Sequence, residues 1–132
     1  EHRGDGNVIT AAVVNLHAAL AAAVRDGRDV TVLCAGKRNG TVAVDEDTYT
    51  GGLLAAAAAA TGCALSRRAV IAQRNARGAG APEIAIRGFK HAEELAALGL
   101  ARDVEWCSRL DSLAVVPVLR ADAAGRPCIV SA

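Results

Sequence analysis

The densest chemistry in the sequence lies between Cys34 and Asp47. There a thiol ends an apolar run, Gly36-Lys37-Arg38-Asn39-Gly40 forms a glycine-flanked basic loop, and Asp45-Glu46-Asp47 follows as an acid triplet. The loop's backbone N–H groups and the cationic heads of Lys37 and Arg38 can hold an anion. Glu46 and Asp47 supply the hard oxygens that Mg²⁺ takes, one or two at a time, while keeping several of its waters. An anion holder beside a divalent-metal ligand suits hydrolysis of a phosphate monoester, where the metal neutralises charge and orients or generates the attacking water. The same residues also read as a plain basic turn followed by an acidic helix start, since acids complement the positive end of a helix dipole.

Two further residues invite chemistry. Cys34 could act as a nucleophile facing a basic loop, but it sits inside an apolar strand-like run with no histidine close in sequence. Asn15 interrupts the apolar stretch Val8 to Val14, so its amide must find either a helix end to cap or a ligand to touch. His17 and His91 are single histidines in helical surroundings and read as surface or satisfied residues, while Phe89 and Trp106 read as core anchors. No Walker loop, GxGxxG or Ser/His/Asp pattern is present.

These residues need elements to place them. Val8 to Val14 and Asp29 to Ala35 read as buried strands, and Ala114 to Leu119 and Pro127 to Val130 as short ones, with Pro117 favouring an edge. Leu16 to Arg25 reads as a helix closed by Asp26-Gly27, and the acid triplet opens another that runs through the Ala55 to Ala60 block to Thr61-Gly62. Helices are expected over Cys63 to Arg77, with a solvated arginine face, and over Ala92 to Leu98 and Arg102 to Leu110, with a break at Gly78 to Pro82. Glu1 to Gly6 is polar and reads as a fraying end or a junction. Strands alternating with helices predict an α/β fold, a three-layer α/β/α arrangement with a mostly parallel sheet. In such folds ligands bind beyond the carboxyl ends of strands, which again points to Asn15 and to the loop from Gly36 to Asp47.

Composition narrows the function further. The 15 basic and 14 acidic residues nearly cancel in the 132-residue chain, which argues against nucleic-acid binding or membrane anchoring by a positive field. Aromatic residues are 2% of the chain, too few for a base-stacking platform, while 31 alanines favour close helix packing. The apolar run Leu53 to Ala60 is far short of a membrane span. Four cysteines without a CxxC or a Cys/His cluster disfavour structural zinc and fit reduced thiols in the cytoplasm, although two disulfides are compatible with the spacing. There is no methionine, so the chain is expected to be a processed product or a piece of a longer protein.

Three stretches in register carry a resemblance: AAVVNLHAALAAAV, then VTVLCAG, then VDEDTYTGGLL, with HAEELAALGLARDVEWCSRLDSLAVVPVL near the end. Over about Val8 to Leu119 the sequence resembles the 2-phosphosulfolactate phosphatase family. The resemblance implies a Mg²⁺-dependent phosphatase that releases phosphate from 2-phosphosulfolactate, a step toward coenzyme M in methanogens. It implies that Asn15, the Cys34-Ala35-Gly36 turn, Glu46 and Asp47 are site residues, with Lys37 and Arg38 on the substrate's phosphate or sulfonate. Family members are longer, and their N-terminal half carries a DVxRATT-like stretch and an NGT motif. Asn39-Gly40-Thr41 spells NGT at a different place, after the CAG strand end. The resemblance therefore implies a C-terminal half whose sheet is completed by its own N-terminal half, by a partner chain or by a homo-oligomer. The competing expectation is a non-catalytic half-domain for assembly or ligand binding. A nucleotide-binding α/β domain is a third, lacking a phosphate-loop fingerprint.

Overall fold

The computed structural model describes residues 7–132, and the polar Glu1 to Gly6 segment lies outside them. Six α-helices are followed by two strands: α1 Leu16–Val24, α2 Asp45–Ala60, α3 Arg67–Ala79, α4 Pro82–Ala85, α5 Lys90–Ala97, α6 Ala101–Cys107, β1 Pro117–Ala121 and β2 Pro127–Ser131. Single 3₁₀ turns at Val13–Asn15 and Ile86–Gly88 lead into α1 and α5.

Local sequence explains most of these helices. Ser66 caps α3 by accepting the Ala69 N–H at 3.3 Å, which sets its start later than the expected Cys63. Pro82 occupies the first turn of α4, where its missing N–H costs nothing. Gly27 takes φ 65° just past α1, as the Asp26-Gly27 pair predicted. The acid triplet fills the first turn of α2, also as expected.

The sheet departs from expectation. Only β1 and β2 form a ladder among the described residues, antiparallel, with Leu119 opposite Ile129. The mostly parallel three-layer α/β/α sheet is therefore overturned by a largely helical fold carrying one hairpin. Of the expected strand Val8 to Val14, Ile9 alone bridges, to Val118, and its end is the 3₁₀ turn. Asp29 to Ala35 runs without a ladder among the described residues, and its residues are exposed. A strand is a pairwise object: strong β-forming residues without a neighbouring backbone leave an extended chain, not a sheet. Trp106, expected in the core, is 45% exposed.

The core is small and divided. Leu16, Leu20 and Leu54 tie α1 to α2, while Tyr49, Ala76 and Ala85 tie α2 to α3 and α4. The α2–α3 contact depends on Gly52, where an added Cβ would strike the Ala72 carbonyl oxygen and lie 2.7 Å from the Ala76 methyl. The alanine tract serves the same end, because small side chains let helix axes approach.

Asp111 fastens the segment between α6 and β1 to α1. Its carboxylate accepts the His17 N–H at 2.9 Å and pairs with His17 Nδ1 at 2.5 Å, and its own N–H donates to the Val13 carbonyl. Partial burial pushes this carboxyl up, but the His17 N–H, ring and charge outweigh it and hold the group below its ordinary 3.8.

Two outcomes follow. Gly52→Ala should destabilise the chain by about 1–3 kcal/mol in a urea melt, because overpacking against backbone exceeds the gain in helix propensity. Asp111 stabilises the fold fully above its ordinary 3.8 and loses that contribution as pH falls through its lower folded value. Asp111→Asn should therefore flatten the acid limb of stability against pH, as read by thermal melts between neutral and strongly acidic buffers.

Candidate active site

The first turn of α2 is the centre of the site, and an aromatic contact fixes what surrounds it. Tyr49 is 4% exposed and meets Phe89 edge-on, with ring centroids 5.7 Å apart at 64°. Its hydroxyl donates to the Gly80 carbonyl at 2.7 Å. Burial first, and then the Glu83 charge, push that hydroxyl's pKa up, so it stays a donor. Phe89 is the residue before α5, so this contact seats the start of α5 beside the start of α2.

With α5 so placed, two side-chain contacts form. His91 Nδ1 lies 2.5 Å from Glu46 Oε1, and Lys37 Nζ lies 3.2 Å from Glu94 Oε2. His91 and Glu94 are three apart on α5 and so share a face. The sequence reads His91 only as a surface or satisfied histidine and does not single out Glu94. Their helical spacing was the available signal, but contact with Glu46 and Lys37 depends on long-range packing that no local pattern encodes.

The basic loop is built as a tight turn. Lys37 and Val42 exchange both backbone hydrogen bonds, at 2.8 and 3.2 Å. Arg38, Asn39 and Gly40 all have positive φ, an uncommon conformation for Arg38. Gly36 has φ 67°, and a Cβ there would lie 2.5 Å from the Val42 carbonyl oxygen. Only glycine fits. Its N–H donates to Asp47 Oδ2 at 2.7 Å, locking the turn onto α2. Cys34 Sγ donates to the Asp47 carbonyl at 3.4 Å. Burial, and then the Asp47 charge, raise the Cys34 thiol's pKa, which disfavours the thiolate a nucleophile requires.

The structure thus brings Cys34, Gly36, Lys37, Glu46 and Asp47 together and adds His91 and Glu94. Arg38 stands on the same turn, exposed and without an ion pair among the described residues. Asn15 belongs to a different network. Its Oδ1 accepts the Ala12 N–H at 2.7 Å, and its Nδ2 donates to the Val115 and Thr10 carbonyls at 2.9 and 3.3 Å. At 6% exposure its amide is committed to backbone.

Family membership follows from sequence comparison. The model of the family described as 2-phosphosulpholactate phosphatase matches residues 2–122. The chain belongs to this family. A probable 2-phosphosulfolactate phosphatase of Deinococcus radiodurans is 36% identical over 118 residues, covering 86% of this chain and 47% of that protein. The chain therefore spans about half the length of this relative of the 2-phosphosulpholactate phosphatase family.

The residues present bear on a family metal. Asp47 spends one carboxylate oxygen on the Gly36 N–H and Glu46 one on His91, leaving each a second hard oxygen. Among the described residues no group of three or more His, Cys, Asp or Glu side chains could hold an ion. Closed protein cages are excluded there, whereas an aquated Mg²⁺ on one or two carboxylates fits. No helix of the described chain is long and apolar enough to cross a membrane.

Removing the aromatic seat should disperse this cluster. Phe89→Ala should cost no more than the roughly 3–5 kcal/mol typical of buried Phe truncation. Its NMR spectrum should show the His91 ring losing its contact with Glu46, while α2 remains helical.

Proposed function

We propose that this chain supplies part of the active site of a phosphatase acting on 2-phosphosulfolactate or a similar small, doubly anionic phosphate monoester. One observation carries the reading: the cationic turn is bonded through Gly36 to the same helix start that bears Glu46 and Asp47. Lys37 and Arg38 bind the ester's phosphate and its second anionic group. Lys37 is available for this, because its pair with Glu94 is half-exposed on both sides and such pairs are worth roughly 0–1 kcal/mol. Hydrolysis breaks the ester P–O bond, adds water's oxygen to phosphorus and returns a proton to the leaving alcohol.

Mg²⁺ is the proposed cofactor, held through water and the second oxygens of Glu46 and Asp47. When bound it supplies charge neutralisation to the phosphoryl oxygens. Glu46 is oriented for this by His91, and Asp47 by the Gly36 N–H. The four cysteines, with no CxxC or Cys/His cluster in the sequence, fit reduced thiols, and the cytoplasm is the proposed location.

Phosphate release from 2-phosphosulfolactate, measured with Mg²⁺ and with EDTA, tests this. Lys37→Ala should raise KM about ten- to a hundredfold, the scale of one charge-assisted hydrogen bond of about 1.5–3 kcal/mol. The Glu46→Gln/Asp47→Asn double variant should lose the Mg²⁺-dependent activity. Turnover equal to the parent in that double variant would remove both carboxylates from the mechanism.

A further inference from the structure

The Lys37–Glu94 pair joins two parts of the chain that are each held in place without it. On one side, the Lys37 backbone exchanges both hydrogen bonds with Val42, and the preceding Gly36 N–H is bonded to Asp47 at 2.7 Å. On the other, α5 is seated by Phe89 against Tyr49 and by His91 against Glu46. Lys37 Nζ donates to Glu94 Oε2 at 3.2 Å, and both side chains remain half-exposed. The fold therefore does not depend on this contact. A half-exposed pair on two fixed backbones can open while turn and helix stay where they are.

What the pair does control is the charge an arriving anion meets. Lys37 and Arg38 are the cations of the turn, and Arg38 has no ion pair among the described residues. Against them stand Asp45, Glu46 and Asp47 on the first turn of α2, and Glu94 on α5. Glu94 differs from the other acids, because its carboxylate lies on a cation suited to a phosphate. Neighbouring Glu93 is turned about 100° round the helix. It lines the groove between α5 and α6 with Arg87 and Arg102.

We propose that Glu94 is a competitor built into the site: its carboxylate occupies on Lys37 the place that a phosphate group takes, and the ester or inorganic phosphate binds by displacing it. This role rests on the anion-holding part given to Lys37 in the proposed function. Glu94 is tethered beside Lys37, so a free anion must replace a carboxylate already at hand and then sit next to its negative charge. Every anion's hold on Lys37 is weakened by this exchange. An ester whose second anionic group reaches Arg38 regains what the exchange takes away. After hydrolysis the same carboxylate returns to Lys37, which limits retention of the phosphate product.

Titration of the metal-free 132-residue chain with inorganic phosphate, followed by NMR, tests this. Glu94→Gln should bind phosphate about three- to thirtyfold more tightly than the parent, the scale of freeing a half-exposed pair and removing one neighbouring like charge. Glu93→Gln removes the same charge on the α5–α6 side and should stay within about twofold of the parent. In a Lys37→Ala background, Glu94→Gln should lose most of its gain, because only the like-charge part remains. Phosphate should also move the Glu94 carboxyl carbon resonance of the parent toward its position in Lys37→Ala, while the thermal melts of parent and Glu94→Gln coincide. Equal phosphate affinity in parent and Glu94→Gln would overturn the inference, as would no detectable binding by either. A Glu93→Gln effect as large as that of Glu94→Gln, an undiminished gain in Lys37→Ala, or a Glu94 resonance that phosphate leaves unmoved would do the same. Ester hydrolysis is measured separately. Tighter phosphate binding by Glu94→Gln without turnover leaves this inference standing and counts against the phosphatase reading, and turnover without tighter binding does the reverse.

Discussion

The edge-on contact of Tyr49 with Phe89 is the constraint on which the candidate site depends. The chain has one tyrosine and one phenylalanine, and they meet where α2 begins and α5 begins. In a core built mainly of alanine and leucine, these are the largest rigid surfaces available to set the distance between two helix ends. The pairings of His91 with Glu46 and of Lys37 with Glu94 are consequences of that setting. The half-exposed Lys37–Glu94 pair in particular contributes little stability. Their value is positional: they orient carboxylates and a cation around one rim at small energetic cost, and that leaves them easy to redirect toward a ligand.

The same rim shows how charge is arranged without collapse. Three acids stand on the first turn of α2, where the helix dipole and the open backbone N–H groups favour them. Without counterions they would repel one another. Gly36 contributes a neutral N–H to Asp47, His91 a ring nitrogen to Glu46, and the turn adds Lys37 and Arg38 nearby. Each named carboxylate thus keeps one oxygen engaged and one open, an arrangement suited to an aquated cation and poorly suited to a closed cage. Asn15, by contrast, is consumed by architecture, joining the 10–12 segment to Val115 before α1 begins.

Helices and sheets diverge here for a simple reason. A helix satisfies its backbone within itself, so α2 and α3 form wherever capping, small residues and one tolerant glycine allow them to pack. A strand satisfies its backbone only through a neighbour. Residues 29–35 and 8–14 carry the right side chains, but among the described residues one lacks a ladder and the other contributes a single bridge to β1. The hairpin β1–β2 forms because its two strands are close in sequence and joined by a turn in which Asp122 accepts backbone N–H groups from Ala124 and Arg126.

The sequence by itself determined the features whose cause is local. These are the acid-started helix from Asp45, the glycine that ends α1, the basic turn at Gly36 to Gly40, the two late strands though not their antiparallel pairing, and the family. Gly36 was legible as a loop glycine, and the structure supplies the reason no other residue fits there. Only the tertiary structure decided which charges meet. His91 and Glu94 are far along the chain from Glu46 and Lys37, and nothing in a helical repeat specifies the rotation that α5 takes against α2. It also decided that strand-forming residues would run unpaired, because pairing depends on a second backbone and not on the side chains that favour it.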